Sequence, residues 1–549
     1  MKKSLTITLL TLILFTAYAQ PPTKRAYTRA DTIRGAVTKE RGWWDLQKYE
    51  LTVAVNPEAK MLKGSNIVRY KVVSSNSVMQ IDLQAPMVIE SVSQDGKKLE
   101  VTDVGNAHFI KLVKPQNVGD VNDLKIEFSG NPRVAVRAPW DGGITWGKDS
   151  LGNHFVATSN QGIGASVWWP CKDHPADEPD NGILISLNVP GNLVAVANGR
   201  LKKEIKEKNK TKTFVWEVIS PINDYGVNIN VGDYVHFSEK YNGEKGVLDM
   251  DYWVLRYNLE KAKAQFKDAP RMMKAFEHWF GPYPFYEDSY KLVEVPYLGM
   301  EHQSSVTYGN KYKNGYLGRD LSGTGWGLKW DYIIIHESGH EWFANNITYK
   351  DVADMWVHEG FTMYSESLFI EYYYGKEAGQ EYTRGLRITI GNQSPVIGDY
   401  DVHGRGAQDM YNKGNNILNT LRTIVNNDDL WRTMLRGLGK TFYHQTVTSK
   451  QIEEYIAKTL NLNLNAFFDQ YLRNSQIPAF EYWINDGKLI YRWANCIPGF
   501  DMPITLLIDG KPKVLNPTRM PKTEKLDSAN PSVKVDPNFY VYSFNLMGN

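Results

Sequence analysis

Two histidines four residues apart, His336 and His340, stand in an apolar stretch that the sequence predicts to be a buried helix. The run from Asp331 to Phe343 contains no proline, and residues four apart lie on one face of a helix, so both imidazoles can approach one point. A catalytic zinc usually takes three protein ligands and keeps a fourth position for water. Glu359, separated from His340 by eighteen residues and opening a second predicted helix, is the third ligand that we expect.

Glu337 directly follows the first histidine and is therefore expected near the open position of the metal. There it can act as the general base toward a water whose pKa the metal lowers to about 7. The pattern H-E-x-x-H also occurs by chance in unrelated proteins, but the correctly placed Glu359 favours a real site. The sequence therefore predicts a hydrolase that uses one zinc ion.

The composition is that of an ordinary globular protein. The chain has 549 residues, which suggests two to four domains, with 42% hydrophobic and 23% charged residues. A net charge of +2, from 63 basic and 61 acidic residues, argues against a nucleic acid as partner. Of the two cysteines, Cys171 and Cys496, we expect two free buried thiols, with one disulfide as the alternative.

The N-terminus reads as a bacterial secretory signal. Two lysines precede an apolar stretch from Leu5 to Phe15, and Ala17-Tyr18-Ala19 forms a small-residue cleavage site. We therefore expect a signal peptide over residues 1–19 and export to the periplasm or the medium. No cysteine stands directly after the cleavage site and no later stretch is long enough to span a bilayer, so no membrane anchor is expected.

Changes in the spacing of hydrophobic residues along the chain predict the domain boundaries. Residues 20–40 are polar and read as a flexible lead-in, and residues 41–256 contain short alternating runs typical of an antiparallel β domain. Helical patterns dominate residues 257–476, which include the metal motif, and short strands and turns return over residues 477–549.

Three motifs resemble the gluzincin aminopeptidases, the family of aminopeptidase N and leukotriene hydrolase. Residues 336–345 read H-E-S-G-H-E-W-F-A-N against the family's H-E-L-A-H-Q-W-F-G-N, and residues 356–361 read W-V-H-E-G-F against W-L-N-E-G-F. Residues 298–302 read L-G-M-E-H against G-x-M-E-N, with Leu298 in place of glycine and His302 in place of asparagine.

The resemblance implies roles for residues outside the metal motif. Glu301 is expected to bind the free α-amine of the substrate, with help from Gln161, and Gly299 and Met300 are expected to contact the substrate beside it. The protonated α-amine of a substrate is a cation, and it can neutralise the charge of a carboxylate held beside the metal site. Tyr411, in a Y-N-K-G run that resembles the family's Y-E-K-G, is expected to stabilise the oxyanion.

The same resemblance implies a multidomain α+β fold. It consists of an N-terminal antiparallel β saddle domain, a thermolysin-like α-rich catalytic domain and a small C-terminal β-sandwich-like domain. Only about seventy residues follow Pro478, which is too few for the long helical domain that many members carry. A more open cleft that admits longer peptides is the hypothesis that follows.

The function predicted is that of a zinc aminopeptidase acting on peptides with a free N-terminus. A thermolysin-type endopeptidase shares the zinc pattern but has no use for Glu301 as an amine anchor. A lipid epoxide hydrolase, as in one branch of the family, would use a carboxylate shortly before the tyrosine, for which Asp399, Asp401 and Asp409 are candidates. A catalytically inactive peptide-binding protein is the remaining alternative.

Overall fold

The computed structural model describes residues 26–528 and 531–547, so the predicted signal peptide lies outside the described residues. The chain forms a β-rich N-terminal part, a helical catalytic part and a β-rich C-terminal part, which confirms the predicted fold class and its order. Among the described residues, no helix combines the length and the apolar character needed to cross a bilayer. Cys171 is buried, Cys496 is half-buried, and both are free thiols.

The N-terminal part is built on an eight-stranded sheet of order β13-β14-β11-β1-β2-β8-β4-β5, with two smaller sheets of order β12-β15-β10-β9 and β3-β7-β6. Along β1 and β11 buried positions alternate with more exposed ones, as expected of strands that cover a core on one face. Its strands are β1 Trp44–Asn56, β2 Met61–Val72, β3 Val78–Asp82, β4 Val88–Gln94, β5 Lys97–Lys98, β6 Glu100–Val104, β7 Ala107–Lys111, β8 Val121–Gly130, β9 Gly143–Lys148, β10 His154–Ser159, β11 Ile183–Pro190, β12 Val194–Val196, β13 Arg200–Lys206, β14 Thr211–Val218 and β15 Asn230–Gly232.

The catalytic part combines a five-stranded sheet of order β16-β17-β18-β20-β19 with a group of helices packed around one large apolar core. Its strands are β16 Tyr234–Gly243, β17 Gly246–Leu255, β18 Tyr290–Glu294, β19 Gly299–Met300, β20 Val306–Tyr308, β21 Ile347–Tyr349 and β22 Gln445–Val447. Helix α1 Arg29–Gly35 precedes the first sheet, and the catalytic helices are α2 Leu259–Gln265, α3 Asp268–Phe280, α4 Tyr332–Gly339, α5 Trp356–Tyr374, α6 Lys376–Gly385, α7 Asn412–Val425, α8 Asp428–Thr441, α9 Ser449–Leu460 and α10 Asn465–Leu472.

The C-terminal part holds a four-stranded sheet of order β27-β24-β23-β29 and a three-stranded sheet of order β26-β25-β28. Its strands are β23 Ala479–Asn485, β24 Lys488–Ala494, β25 Ile504–Ile508, β26 Lys511–Leu515, β27 Lys522–Lys525, β28 Val533–Val535 and β29 Tyr542–Asn545. Buried residues of these strands, among them Phe480 and Trp493, join the same apolar core as the catalytic helices.

The predicted boundary at residue 256 differs from the sheet pairing. Strands β16 and β17 form a hairpin, and β17 pairs in parallel with β18 from Met250 to Trp253, so the hairpin belongs to the catalytic sheet. Its alternation of exposed and buried residues is of the same kind as that of the preceding strands. Sequence periodicity therefore could not show that its partner lies some forty residues later.

The predicted flexible lead-in also differs from the structure in its second half. Residues 29–35 form helix α1, which begins with a capping box between Thr28 and Asp31. The helix is held by contacts that are remote in sequence: Arg34 donates to the carbonyl oxygen of Gly162, and His174 contacts the carbonyl oxygen of Gly35. Composition alone does not reveal such partners, which lie more than 120 residues away.

Candidate active site

Helix α4 carries both histidines of the metal motif. Asp331 caps it by accepting from the backbone N–H groups of Ile333 and Ile334 at 3.1 and 3.4 Å. The predicted helix to Phe343 is four residues too long, because α4 ends at Gly339 and the chain kinks at Phe343 and Ala344.

Tertiary bonds account for this early end. Glu341 accepts from the backbone N–H of Ser304 at 2.9 Å and from the hydroxyl of Tyr283 at 3.0 Å, and the indole of Trp342 donates to the carbonyl oxygen of Gly281 at 3.1 Å. These bonds fix side chains that a straight helix would place elsewhere.

Both imidazoles are oriented through their Nδ1 atoms. His336 Nδ1 lies 2.6 Å from Glu366 Oε1, and the other oxygen of Glu366 accepts from Tyr382 at 2.6 Å. His340 Nδ1 lies 3.0 Å from the carbonyl oxygen of Phe343. Donation from Nδ1 is the arrangement that metal binding requires, because it leaves the Nε2 atom of each ring to face the metal position.

Glu359, in the first turn of α5, completes the candidate metal site. Its Oε2 lies 3.4 Å from His340 Nε2 and 3.9 Å from His336 Nε2. Ligands about 2.0–2.2 Å from a common zinc in tetrahedral geometry lie roughly 3.3–3.6 Å apart, which the first separation matches and the second slightly exceeds. This Oε2 is buried and has no hydrogen-bond partner among the described residues, whereas Oε1 accepts from Tyr411 and Gln161 at 2.8 and 2.9 Å. The residues therefore fit a zinc ion.

The electrostatics of the group also call for a cation. Burial lowers the pKa of His340, but the attraction of Glu359 outweighs burial and raises it to about 10. Burial raises the pKa of Glu359, yet His340 and His336 reverse the shift and hold it at about 2. Burial raises the pKa of Glu337 to about 7 and also raises that of Glu301. A cation at this position would stabilise the charged forms of all three carboxyl groups in the buried cavity.

Glu301 lies in the same cavity and is 2% exposed. Gln161 Nε2 donates to Glu301 Oε1 at 2.7 Å as well as to Glu359, so one side-chain amide links the predicted amine anchor to the predicted metal ligand. The backbone beside the anchor is fixed by Asn345, which donates to the carbonyl oxygen of Glu301 at 2.9 Å. His302 is fully buried, and burial lowers its pKa to about 3, so its imidazole is neutral.

Strand β19 brings Gly299 and Met300 to the cavity wall. A Cβ at Gly299 would lie 2.6 Å from Ile333 Cγ2 and 3.2 Å from Glu337 Oε1, so any larger residue would push against the predicted base. Glycine at this position therefore allows the strand to approach helix α4 closely.

All nine predicted site residues line or border one cavity of about 750 Å³. The three aspartates considered for epoxide chemistry do not line it: Asp399 accepts from Tyr27, Asp409 accepts from the backbone of Gly391 and Asn392, and Asp401 bonds through its backbone to Asp351.

Two positioning residues were not predicted, Glu366 and Asn345. Glu366 follows Glu359 by seven residues, which is two helical turns, so a search of the same face of α5 for a second carboxylate could have found it. Asn345 belongs to the metal motif, but its contact with the backbone of Glu301 depends on the kink after α4.

Comparison with known proteins agrees with this geometry. Residues 46–225 match the peptidase M1 N-terminal domain, and residues 264–471 match the peptidase family M1 domain. Together the two matches span well over half of the chain.

The chain belongs to peptidase family M1.

Family membership confirms the resemblance to gluzincin aminopeptidases and implies zinc as the metal. Similar proteins include a probable aminopeptidase 2 of Sulfurisphaera tokodaii, 19% identical over 85% of this chain and 59% of that protein, and aminopeptidase B of Mus musculus, 24% identical over 69% of this chain and 56% of that protein. This M1 peptidase thus spans less than two thirds of these relatives' lengths.

A solved structure shares the fold. It is a mutant of the M1 zinc metallopeptidase from Deinococcus radiodurans bound to a Tyr-Ser-Ala substrate, and its TM-score is 0.68 at 20% identity. The match covers 80% of this chain and 96% of that one.

Proposed function

We propose that this M1 peptidase is an aminopeptidase that uses one zinc ion to release N-terminal residues from peptides with a free α-amine. The observation that carries the proposal is the link made by Gln161, whose amide nitrogen donates both to Glu301 and to the metal ligand Glu359. This link puts an anionic amine site directly beside the metal site, so only a bond next to a free N-terminus can reach the metal.

His336, His340 and Glu359 would hold the zinc, which when bound supplies Lewis-acid polarisation of the scissile carbonyl and activation of the attacking water. The ammonium of the substrate pairs with Glu301 and donates a hydrogen bond to the amide oxygen of Gln161. Glu337 takes the proton of the attacking water and delivers it to the leaving amine.

Tyr411 supplies the remaining donor. Its hydroxyl donates to Glu359 Oε1 at 2.8 Å, and burial together with Glu359 raises its pKa well above the ordinary value. The phenol therefore stays protonated and can turn to donate to the oxygen on which negative charge develops.

The structure argues against the competing activities. An endopeptidase needs room for chain on both sides of the scissile bond, whereas here Gln161 and the buried carboxyl group of Glu301 lie beside the metal site, where the preceding chain would pass. Lipid epoxide hydrolysis would need an extra carboxylate in the cavity, and none of the three candidate aspartates lines it. An inactive peptide-binding protein would not need a carboxyl group such as that of Glu337 in the same cavity as the metal ligands.

Hydrolysis of aminoacyl-coumarin substrates tests the proposal. We expect turnover that a chelator abolishes and that zinc restores, with one equivalent of zinc per chain. Glu337→Gln should bind the same amount of zinc and lose turnover, while the matched control Glu454→Gln, an exposed position on α9, should keep it. Activity retained in Glu337→Gln would exclude this residue as the base.

We further propose that the protein is exported. The support is the sequence of residues 1–19, with its lysines, apolar stretch and small-residue site. N-terminal sequencing of the protein from its native cell should give a first residue near Gln20, and an intact Met1 in the cytoplasmic fraction would contradict export.

A further inference from the structure

Three arginines also line the active-site cavity, and we call them the cationic wall. Arg34 comes from α1, Arg137 from the loop after β8, and Arg405 from the loop before α7. No carboxylate oxygen of the described residues lies within 4.0 Å of their guanidinium nitrogens. Three positive charges therefore border the cavity without a carboxylate partner among the described residues.

One of the three arginines already has a structural task. Arg34 donates to the carbonyl oxygens of Gly162, at 3.2 Å, and Ile163, and His403 lies 2.8 Å from the same oxygen of Gly162. These bonds hold the loop that directly follows Gln161. Arg34 of the cationic wall thus contacts the loop that carries Gln161, the residue that bonds the amine anchor.

The other two arginines are free to bind. Arg137 and Arg405 are exposed, and within residues 26–528 and 531–547 the guanidinium of Arg405 makes a single hydrogen bond, a contact of 3.4 Å with Gln408. Asp141 also lines this wall, but its carboxylate accepts from the backbone N–H groups of Val136 and Arg137 at 2.8 Å each. An arginine fork with open donors in a cavity matches a carboxylate in both shape and charge.

We propose that Arg137 and Arg405 bind a carboxylate of the substrate, so that this enzyme selects peptides by negative charge placed away from the amine. The carboxylate is either the acidic side chain of the N-terminal residue or the C-terminus of a short peptide. The inference rests on the proposed aminopeptidase function and adds a substrate class to it. In this arrangement Glu301 binds the amine of the substrate, and Arg137 and Arg405 bind its carboxylate.

Two matched substrate pairs distinguish the sources. Glutamyl-coumarin and glutaminyl-coumarin differ in the charge of the side chain alone, and trialanine and its C-terminal amide differ in the charge of the C-terminus alone. Within at least one pair, we expect kcat/KM to be about tenfold or more higher for the charged member than for the neutral one, since a hydrogen bond to a charged group contributes roughly this factor.

The double variant Arg137→Gln/Arg405→Gln should bring that ratio close to one and leave kcat/KM for the neutral member unchanged. Both positions are exposed, so the fold should persist. Arg519→Gln, an exposed position outside the cavity, is the matched control and should keep the native ratio. Raising the salt concentration should also lower the native ratio, because exposed charges are screened.

The outcomes are separable. If the double variant lowers the kcat/KM ratio of the glutamyl pair, the arginines bind the first side chain. If it lowers the ratio of the trialanine pair, they bind the C-terminus. Ratios near one in the native enzyme, or a ratio unchanged in the double variant, would overturn the proposal. If no substrate is hydrolysed, the aminopeptidase function fails, and calorimetric binding of the same pairs still measures the selectivity.

Discussion

Replacing Glu366 by alanine tests whether the metal site depends on the carboxylate behind His336. Glu366 is fully buried, and its two oxygens bond His336 Nδ1 and the hydroxyl of Tyr382 at 2.6 Å each. Alanine leaves both donors buried without these acceptors, which costs about 1–3 kcal/mol for each. The ring of His336 also loses the bond that fixes its tautomer, so zinc affinity should fall about 10- to 100-fold.

Competition with a chromophoric chelator measures the zinc dissociation constant directly. The matched control is Tyr382→Phe, which removes one bond to Glu366 but keeps the contact with His336, and its loss of affinity should be clearly smaller. Thermal melts with and without zinc should show that Glu366→Ala gains less from the metal than the native protein. Native zinc affinity in Glu366→Ala, or an equal loss in both variants, would refute the reasoning.

Three further changes have defined outcomes. Glu301→Gln should lower kcat/KM for aminoacyl substrates by about 10- to 100-fold, because it removes the charge that pairs with the ammonium, and unchanged kcat/KM would contradict its role. Tyr411→Phe should lower kcat by about 10²–10³-fold at unchanged zinc content, and a loss confined to KM would argue for substrate binding instead. Burial raises the pKa of Glu178, which accepts from Thr348 at 2.7 Å, to about 8, above its ordinary 4.5. Between these two pKa values the folded state holds a proton that the unfolded state releases, so stability falls as pH rises, by at most about 1.4 kcal/mol per pH unit. Glu178→Gln should therefore lose less in Tm between pH 6 and pH 8.5 than the native protein, and equal losses would exclude this carboxyl as the cause.

The sequence predicted those parts of the site that depend on local spacing. His336, Glu337 and His340 share one helix, and their positions follow from helical geometry. Glu359 could be predicted because it opens the next helix at the family's spacing. Roles carried by resemblance, such as that of Glu301, depended on short motifs, and the structure brings these residues into one cavity with the histidines.

Features that depend on contacts remote in sequence could not be predicted. Helix α4 ends early because Glu341 bonds Ser304 and Tyr283, and no local pattern records those partners. The hairpin of β16 and β17 joins the catalytic sheet through β18, although its alternation of side chains resembles that of the preceding domain. Helix α1 lies in a segment whose polar composition suggested flexibility.

We propose that a carboxylate for the substrate amine lies beside the metal site. Comparing kcat/KM for one peptide with a free N-terminus and for the same peptide with an acetylated N-terminus tests it most directly. We expect rapid release of the first residue from the free peptide and no detectable cleavage of the acetylated one. Equal cleavage of both peptides would contradict it.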